Sequence, residues 1–124
     1  MDILCVAESG KDVIARFTKL DGVERVLAAG ETKGSVVIRI GGKRTIQADL
    51  RVVPPESFGA ALQYFTGSKE HNVRLREMAV RKKWRLNEYG LTDGEKTIAG
   101  RDEAGIYKKL GLPLIPPECR QDRD

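Results

Sequence analysis

The stretch Tyr-Phe-Thr-Gly-Ser-Lys-Glu-His-Asn at residues 64–72 decides how the chain is organised. Apolar residues recur at helical spacing at Phe58, Ala61, Leu62 and Phe65, and a second helical pattern begins after Ser68. Gly67 permits an unusual backbone conformation between the two patterns, and Ser68 is available as the N-cap of the second helix. We therefore predict two helices that are separated at Gly67, with a subdomain boundary near this residue.

The residues before this stretch predict a β-sheet with one helix. Predicted strands lie at residues 1–6, 23–27, 35–40 and 45–53, and a predicted helix lies at residues 11–20. In the last strand, apolar residues alternate with others from Ile46 to Val52, which is typical of a strand with one buried face. Gly41 and Gly42 predict a tight turn that joins the last two strands into an antiparallel hairpin.

The rest of the chain predicts a mainly helical region with a few short strands. Pro54 and Pro55 end the hairpin and open the first helix, because proline is tolerated in a first turn. The second helix extends to about Lys82, and the residues that it is expected to bury are Val73, Leu75, Met78 and Ala79. Further predicted elements are a strand over 84–91, a turn at Asp93 and Gly94, a short strand at Ile98, a helix over 102–110 and a fraying tail from Pro113. This order predicts an α+β fold, with a sheet domain followed by a small helical subdomain.

Composition is that of an ordinary globular protein, since 40% of the 124 residues are hydrophobic and 32% are charged. No apolar run approaches the roughly 18 residues of a membrane span, so we expect no membrane partner. Cys5 and Cys119 are the only cysteines, and together with the lack of a secretion signal they indicate a reducing cytoplasm. His71 is the single histidine, and we expect it in a pocket or at the surface, because zinc sites need several His or Cys ligands.

Positive charge is concentrated in the second half of the chain, although the net charge is only +4. Residues 69–85 contain seven Lys or Arg and two Glu. A basic helix face that binds nucleic acid would explain this run. A solvated helix face is the alternative interpretation, and composition alone does not separate the two.

Asp49 is a carboxylate in the middle of a mostly apolar strand, where Asp is disfavoured. Asp2 starts the first predicted strand. Two carboxylates on adjacent strands can hold Mg²⁺ for phosphoryl transfer. The alternative is a partly exposed strand residue that pairs with Arg51 on the same face.

Three motifs together resemble the family X DNA polymerases of the polymerase beta type, and the bacterial members above all. The stretch 64–72 carries the most specific of them. Residues 48–54, Ala-Asp-Leu-Arg-Val-Val-Pro, are similar to the strand that bears the third catalytic aspartate of the family, and residues 87–89 are similar to its Asn-Glu-Tyr. Asp2 with the next two residues resembles the strand after the family's Asp-x-Asp pair. The resemblance covers essentially the whole chain and implies a partial nucleotidyltransferase-type palm at 1–66 and a thumb at 67–124.

The resemblance implies a DNA-directed DNA polymerase that adds dNTPs to a primer 3′-hydroxyl by two-metal transfer, in DNA repair or gap filling. Asp2 and Asp49 are then the catalytic ligands of two Mg²⁺ ions. The residues implied to bind the nucleotide are Tyr64, Phe65, Gly67, Ser68, Lys69 and Asn72. Tyr64 and Phe65 would exclude a 2′-hydroxyl, and Asn72 would bond the minor-groove edge of the base or the sugar. The peptide bond between Gly67 and Ser68 is cis in the family.

The resemblance also implies DNA contacts at Arg76 and Lys83, which share helical spacing with Lys69 and Asn72. The expected partners are gapped or primer–template DNA and a dNTP, and the expected state is a monomer.

Arg51 resembles one half of a conformational switch. It would bind Asp2 while the thumb is open, and Glu88 and Tyr89 once the thumb has closed. A permanent surface pair worth less than about 1 kcal/mol is the alternative.

The chain departs from the family pattern in its first residues. The first aspartate of the Asp-x-Asp pair falls before residue 1, and Met1 stands at the middle position, so we expect the chain alone to be inactive. Lys69 and His71 replace an acidic and an aromatic residue of polymerase beta. A non-catalytic DNA-binding module derived from such a polymerase is the alternative function. A nucleotidyltransferase with a non-DNA acceptor is disfavoured by residues 64–72.

Overall fold

The computed structural model describes residues 1–121, which form two compact units. The first unit is Met1–Pro55 and the second begins at Glu56. The compact units therefore divide earlier than Gly67, because the helix that ends at Thr66 packs against later elements of the chain. The assignment of 1–66 to a palm and 67–124 to a thumb stays a prediction. No helix within residues 1–121 combines the length and apolarity needed to cross a membrane.

The first unit is a mixed sheet with one helix against it. Its elements are β1 (Asp2–Val6), α1 (Lys11–Phe17), β2 (Val23–Ala29), β3 (Lys33–Gly41) and β4 (Arg44–Val53), and the strand order is β1-β4-β3-β2. β1 runs parallel to β4, while β4 pairs with β3 and β3 with β2 in antiparallel fashion. The predicted hairpin of β3 and β4 is confirmed, and Gly42 provides the left-handed turn conformation with φ 54°. The predicted sheet with one helix is therefore correct.

One face of this sheet forms the core of the first unit. Ala48, Leu50 and Val52 of β4 are buried against Ile14 and Phe17 of α1. The predicted alternation in β4 is thus confirmed. The opposite face carries Asp49 and its neighbours, so the pleat separates the core from the candidate site.

The second unit combines three helices with a small antiparallel sheet. Its elements are α2 (Phe58–Thr66), α3 (Lys69–Arg81), β5 (Arg85–Asn87), β6 (Gly90–Asp93), β7 (Lys96–Ala99) and α4 (Glu103–Lys109), with strand order β5-β6-β7. Its core is built mainly from Leu75, Leu91, Ile106 and Tyr107, all of which are fully buried. The α+β fold class is confirmed.

The apolar faces of α2 and α3 were predicted only in part. Leu75 and Ala79 are buried, but Val73 is 37% exposed, and its polar neighbours His71 and Asn72 are buried instead. On α2 the buried residues are Gly59, Ala60, Ala61 and Gln63, whereas the predicted stripe included Leu62 and Phe65, which are exposed. Hydrogen bonds between buried polar side chains, described below, account for the difference.

Two predictions about the end of the chain are wrong. Residues 84–91 form a tight hairpin rather than one strand, because Asn87 Oδ1 accepts hydrogen bonds from the amides of Tyr89 and Gly90 and turns the chain. The tail from Pro113 does not fray within the described residues, since Arg120 is only 1% exposed. Its guanidinium donates to Glu103 at 2.5 Å and to the carbonyl of Ile115 at 2.8 Å. Residues 122–124 lie outside the described part of the chain.

Candidate nucleotide and DNA site

Asp2 and Asp49 lie on the neighbouring strands β1 and β4, as the sequence predicted. They are direct register partners in the parallel pair, so their side chains leave the same face of the sheet. Asp49 is also the register partner of Ser35 on β3. The three side chains therefore form a row across the sheet on the face opposite to the core.

Two neighbours hold the Asp49 carboxylate in its ionised form. Ser35 Oγ donates to Asp49 Oδ1 at 2.6 Å, and Gln47 Nε2 donates to the same oxygen at 3.0 Å. The Ser35 bond, followed by the Gln47 bond, lowers the pKa of Asp49 below its ordinary value of 3.8. Sequence analysis missed both donors. Gln47 could have been found from its place two residues before Asp49 on the same face, whereas Ser35 requires the register of the hairpin.

Carboxylate oxygens are the ligands that Mg²⁺ prefers, so this row fits the predicted metal role chemically. Within residues 1–121 there is no group of three or more His, Cys, Asp or Glu side chains arranged to hold a metal ion. Asp2 and Asp49 are therefore a pair of candidate ligands. Their catalytic role stays a prediction.

The three residues of the predicted switch lie in different units. Arg51 follows Asp49 by two positions on β4 and is half-buried on the same face. Glu88 and Tyr89 occupy the turn between β5 and β6, where Tyr89 is 59% exposed. The alternation of partners stays a prediction.

The stretch 64–72 contains the end of α2, a sharp turn and the start of α3. The peptide bond between Gly67 and Ser68 is cis, as the resemblance implied, and Gly67 has φ 71°. Ser68 caps α3, because its Oγ accepts from the amide of His71 at 3.2 Å. Sequence reasoning correctly placed both the helix break and the cap.

Aromatic rings stand at the end of α2. The Tyr64 and Phe65 rings meet edge to face with centroids 5.0 Å apart, which is a favourable aromatic geometry. Phe65 is 42% exposed while Tyr64 is half-buried. The rings thus present apolar surface beside the turn.

Asn72 lies at the start of α3, and its side chain is turned toward α2. Its Nδ2 donates to the carbonyl of Tyr64 at 2.8 Å, and its Oδ1 accepts from Gln63 Nε2 at 2.6 Å. Sequence analysis missed Gln63 because a single glutamine on a helix carries no signal of its own. Lys69 is exposed at the first position of α3.

His71 is buried and bonded rather than exposed at the surface. It is 4% exposed, and its Nε2 lies 2.8 Å from the hydroxyl of Tyr107. Burial raises the pKa of that Tyr107 hydroxyl. The prediction that His71 lies in a pocket or at the surface is thus resolved in favour of a buried position.

The predicted DNA contacts do not share one helix face. Arg76 is half-buried on α3, but the helix ends at Arg81, so Lys83 lies beyond it with φ 65°. Helical spacing therefore does not relate Lys83 to Asn72 and Arg76. Lys83 lines a groove of about 350 Å³ together with Trp84 and Arg85.

Comparison with known proteins gives concordant matches. Residues 61–121 match the family described as DNA polymerase beta thumb. The chain is 34% identical over 125 residues to the DNA polymerase/3'-5' exonuclease PolX of Bacillus subtilis, covering 98% of this chain and 21% of that protein. It is 36% identical over 91 residues to DNA polymerase lambda of Rattus norvegicus, covering 64% of this chain and 16% of the relative. The chain therefore spans about a fifth or less of the length of these relatives.

A solved structure has the same fold. The crystal structure of Leishmania infantum polymerase beta in a ternary gap complex superposes with a TM-score of 0.76 at 24% sequence identity. The match covers 88% of this chain and 49% of that one.

Proposed function

Because the chain belongs to the family X DNA polymerases, we propose that it supplies the second part of the palm and the thumb of a DNA-directed DNA polymerase. The reaction is the addition of dNTPs to a primer 3′-hydroxyl in DNA repair or gap filling. The observation that carries the proposal is the geometry of residues 64–72. Here a sharp turn at Gly67, a pair of aromatic rings and an asparagine held by two hydrogen bonds lie close together in sequence.

Residues 64–72 would select the deoxynucleotide. The rings of Tyr64 and Phe65 offer an apolar surface for the sugar, and a 2′-hydroxyl pressed against it would lose its hydrogen bonds to water. Asn72 supplies an amide for the edge of the base, with Lys69 nearby for the charged part of the nucleotide. The turn at Gly67 and Ser68 fixes the ends of α2 and α3 on either side of this pocket.

Asp2 and Asp49 would hold Mg²⁺ through their carboxylate oxygens, with Ser35 and Gln47 orienting Asp49. When bound, two Mg²⁺ ions supply activation of the primer hydroxyl and charge stabilisation on the triphosphate. The bonds from Ser35 and Gln47 lower the pKa of Asp49 below its ordinary value of 3.8, so the carboxylate is anionic in the neutral range, as a metal ligand must be.

Arg76 and Lys83 would contact the phosphates and template strand of DNA, and Arg51 would exchange Asp2 for Glu88 and Tyr89 as the thumb closes. We propose gapped or primer–template DNA as the partner, in keeping with the gap complex of the Leishmania protein. We further propose that the protein is a monomer that acts in the cytoplasm.

Two samples test the proposal. The first is this chain alone, for which we expect weak, salt-sensitive binding to gapped DNA and no templated extension. The second is a chimaera in which the chain replaces the matching segment of the Bacillus PolX, for which we expect Mg²⁺-dependent extension. Asp49→Ala should abolish extension by the chimaera, and the exposed Asp21→Ala serves as the matched control.

The outcomes separate the two candidate functions. A chimaera that binds gapped DNA but does not extend it would favour the non-catalytic DNA-binding module. Extension that survives Asp49→Ala would contradict the metal-ligand assignment. Robust extension by the isolated chain would contradict the expectation that it is inactive by itself.

A further inference from the structure

Gln63 is a buried polar residue for which the sequence predicted no role, and it is only 2% exposed. It precedes Tyr64 on α2, and its Nε2 donates to Asn72 Oδ1 at 2.6 Å. The amide nitrogen of the Asn72 side chain donates in turn to the carbonyl of Tyr64 at 2.8 Å. Consecutive residues of α2 therefore hold both ends of the Asn72 carboxamide.

These two contacts fix which end of the carboxamide is the nitrogen. A backbone carbonyl can only accept, so the Asn72 nitrogen must face Tyr64. The Asn72 oxygen then faces Gln63, which must offer its own amide nitrogen. The Asn72 nitrogen carries two hydrogens and the Tyr64 carbonyl takes one, which leaves the second hydrogen for a ligand.

We propose that Gln63 is a positioning residue that makes Asn72 present a hydrogen-bond donor to the minor-groove edge of the incoming base. This inference rests on the proposed function, in which Asn72 contacts the nucleotide. Every base carries an acceptor on that edge, at N3 of a purine or O2 of a pyrimidine. A donor at Asn72 therefore suits all four bases, whereas an outward oxygen would suit only the amino group of guanine.

The bond to Tyr64 alone does not secure this orientation. Without Gln63, the oxygen of the 9%-exposed Asn72 would be left in the interior without a donor, and an unpaired buried acceptor is strongly disfavoured. A simple exchange of the two ends of the carboxamide would not relieve it, because the oxygen would then face the Tyr64 carbonyl. The Asn72 side chain would instead leave this rotamer for one that exposes its oxygen to water, and the bond to Tyr64 would be lost. Gln63 satisfies the oxygen and so keeps Asn72 in the rotamer that offers its nitrogen to the ligand, although Gln63 itself does not touch the ligand.

The test compares dATP with 3-deaza-dATP, which lacks the N3 acceptor, in single-nucleotide incorporation opposite thymine by the chimaera described above. We expect the unsubstituted chimaera to prefer dATP about fivefold, the worth of one neutral hydrogen bond. Gln63→Met keeps the shape of the side chain but removes the donor, and its preference should fall to near one. Ser57→Ala is the control, because it removes a hydrogen bond made by another buried side chain of the second unit, from Ser57 Oγ to the carbonyl of Tyr89 at 2.8 Å. The Ser57→Ala chimaera should keep the fivefold preference for dATP over 3-deaza-dATP.

The preference is the ratio of the incorporation efficiencies of dATP and 3-deaza-dATP by the same variant. General damage to the fold lowers both efficiencies alike and leaves this ratio unchanged. A preference that persists in Gln63→Met would overturn the role of Gln63 and leave the proposed function intact. Equal use of the two nucleotides by the unsubstituted chimaera would overturn the inference through Asn72, while Asp49-dependent extension would still support the polymerase.

A second measurement needs no activity. In the isolated chain, NMR should detect a coupling through the hydrogen bond between the Asn72 side-chain nitrogen and the Tyr64 carbonyl carbon. We expect this coupling in the unsubstituted chain and in Ser57→Ala, and its loss in Gln63→Met. Its persistence in Gln63→Met would overturn the inference even if the chimaera incorporated neither nucleotide.

Discussion

Lys83 has a left-handed backbone, with φ 65°, and is the one non-glycine residue with positive φ within residues 1–121. It directly follows Lys82, the C-cap of α3, and its amide donates to the carbonyl of Val80 at 2.9 Å. The amide of Trp84 donates to the carbonyl of Ala79 at 2.8 Å. These two hydrogen bonds are typical of a helix end in which glycine is the favoured residue just after the C-cap, the position that Lys83 occupies.

Replacing Lys83 by glycine should therefore stabilise the second unit. The left-handed conformation costs an L-residue about 1–2 kcal/mol, and glycine would remove this cost. The greater freedom of glycine in the unfolded chain lowers the stability of the fold by about 0.4–1 kcal/mol, which offsets part of the gain. The net gain is about 0.5–1 kcal/mol in the free energy of unfolding, which raises the melting temperature of a unit of this size by about 2–8 °C.

Thermal unfolding followed by fluorescence of Trp84, the single tryptophan of the chain, measures this gain. Lys83→Ala is the control for the charge, because it removes the lysine but keeps the strained backbone, and it should not stabilise. Lys82→Gly is the control for glycine, since Lys82 has φ −93° and gains nothing from it. A melting temperature for Lys83→Gly at or below that of Lys83→Ala would refute the reasoning.

Three further substitutions test other parts of the structure. Arg120→Met should lower the free energy of unfolding by about 3–5 kcal/mol in urea titrations, because it leaves the Glu103 carboxylate without its buried partner. Gly59→Ala should cost about 1–3 kcal/mol by the same measurement, since a Cβ there would lie 2.2 Å from backbone of the α4 N-terminus. Ser35→Ala should raise the pKa of Asp49 toward 3.8 in an NMR titration. Because the pKa of Asp49 is lower in the folded chain than in the unfolded chain, ionised Asp49 stabilises the fold at a pH above its unfolded pKa. This stabilisation is lost as the pH falls through its folded pKa, so acid should destabilise Ser35→Ala less than the unsubstituted chain.

Local patterns with a strong period predicted the first unit well. The alternation in β4 fixes the face on which Asp49 lies, and Gly41 and Gly42 before it fix the hairpin turn. Because side chains alternate between the two faces of a strand, assigning one residue of β4 to the correct face also assigns all the others. The register of Ser35 against Asp49 depends on the exact turn, and for that reason the strongest donor to Asp49 was missed.

Hydrophobicity alone failed on α3, where His71 and Asn72 are buried and Val73 is exposed. Burial of a polar side chain is acceptable only when its partners are in place. The partners here are Tyr107 and Gln63, on other helices. No periodicity in α3 itself carries that information, so the buried face could not be predicted from the helix alone.

Arg120 makes two contacts that complete the second unit, and it is synthesised after both of its partners. Its carbonyl accepts the amide of Ser68 at 2.9 Å, and its side chain neutralises Glu103. Ribosomes add about 5–20 residues per second, so several seconds separate the emergence of the turn at Ser68 from that of its last partner. Until then Glu103 has no buried cation and the turn lacks one of its backbone bonds. In a nascent chain that pauses before Arg120, the second unit would therefore be incompletely folded and accessible to chaperones and proteases. We expect it to fold fully only after Arg120 has been added.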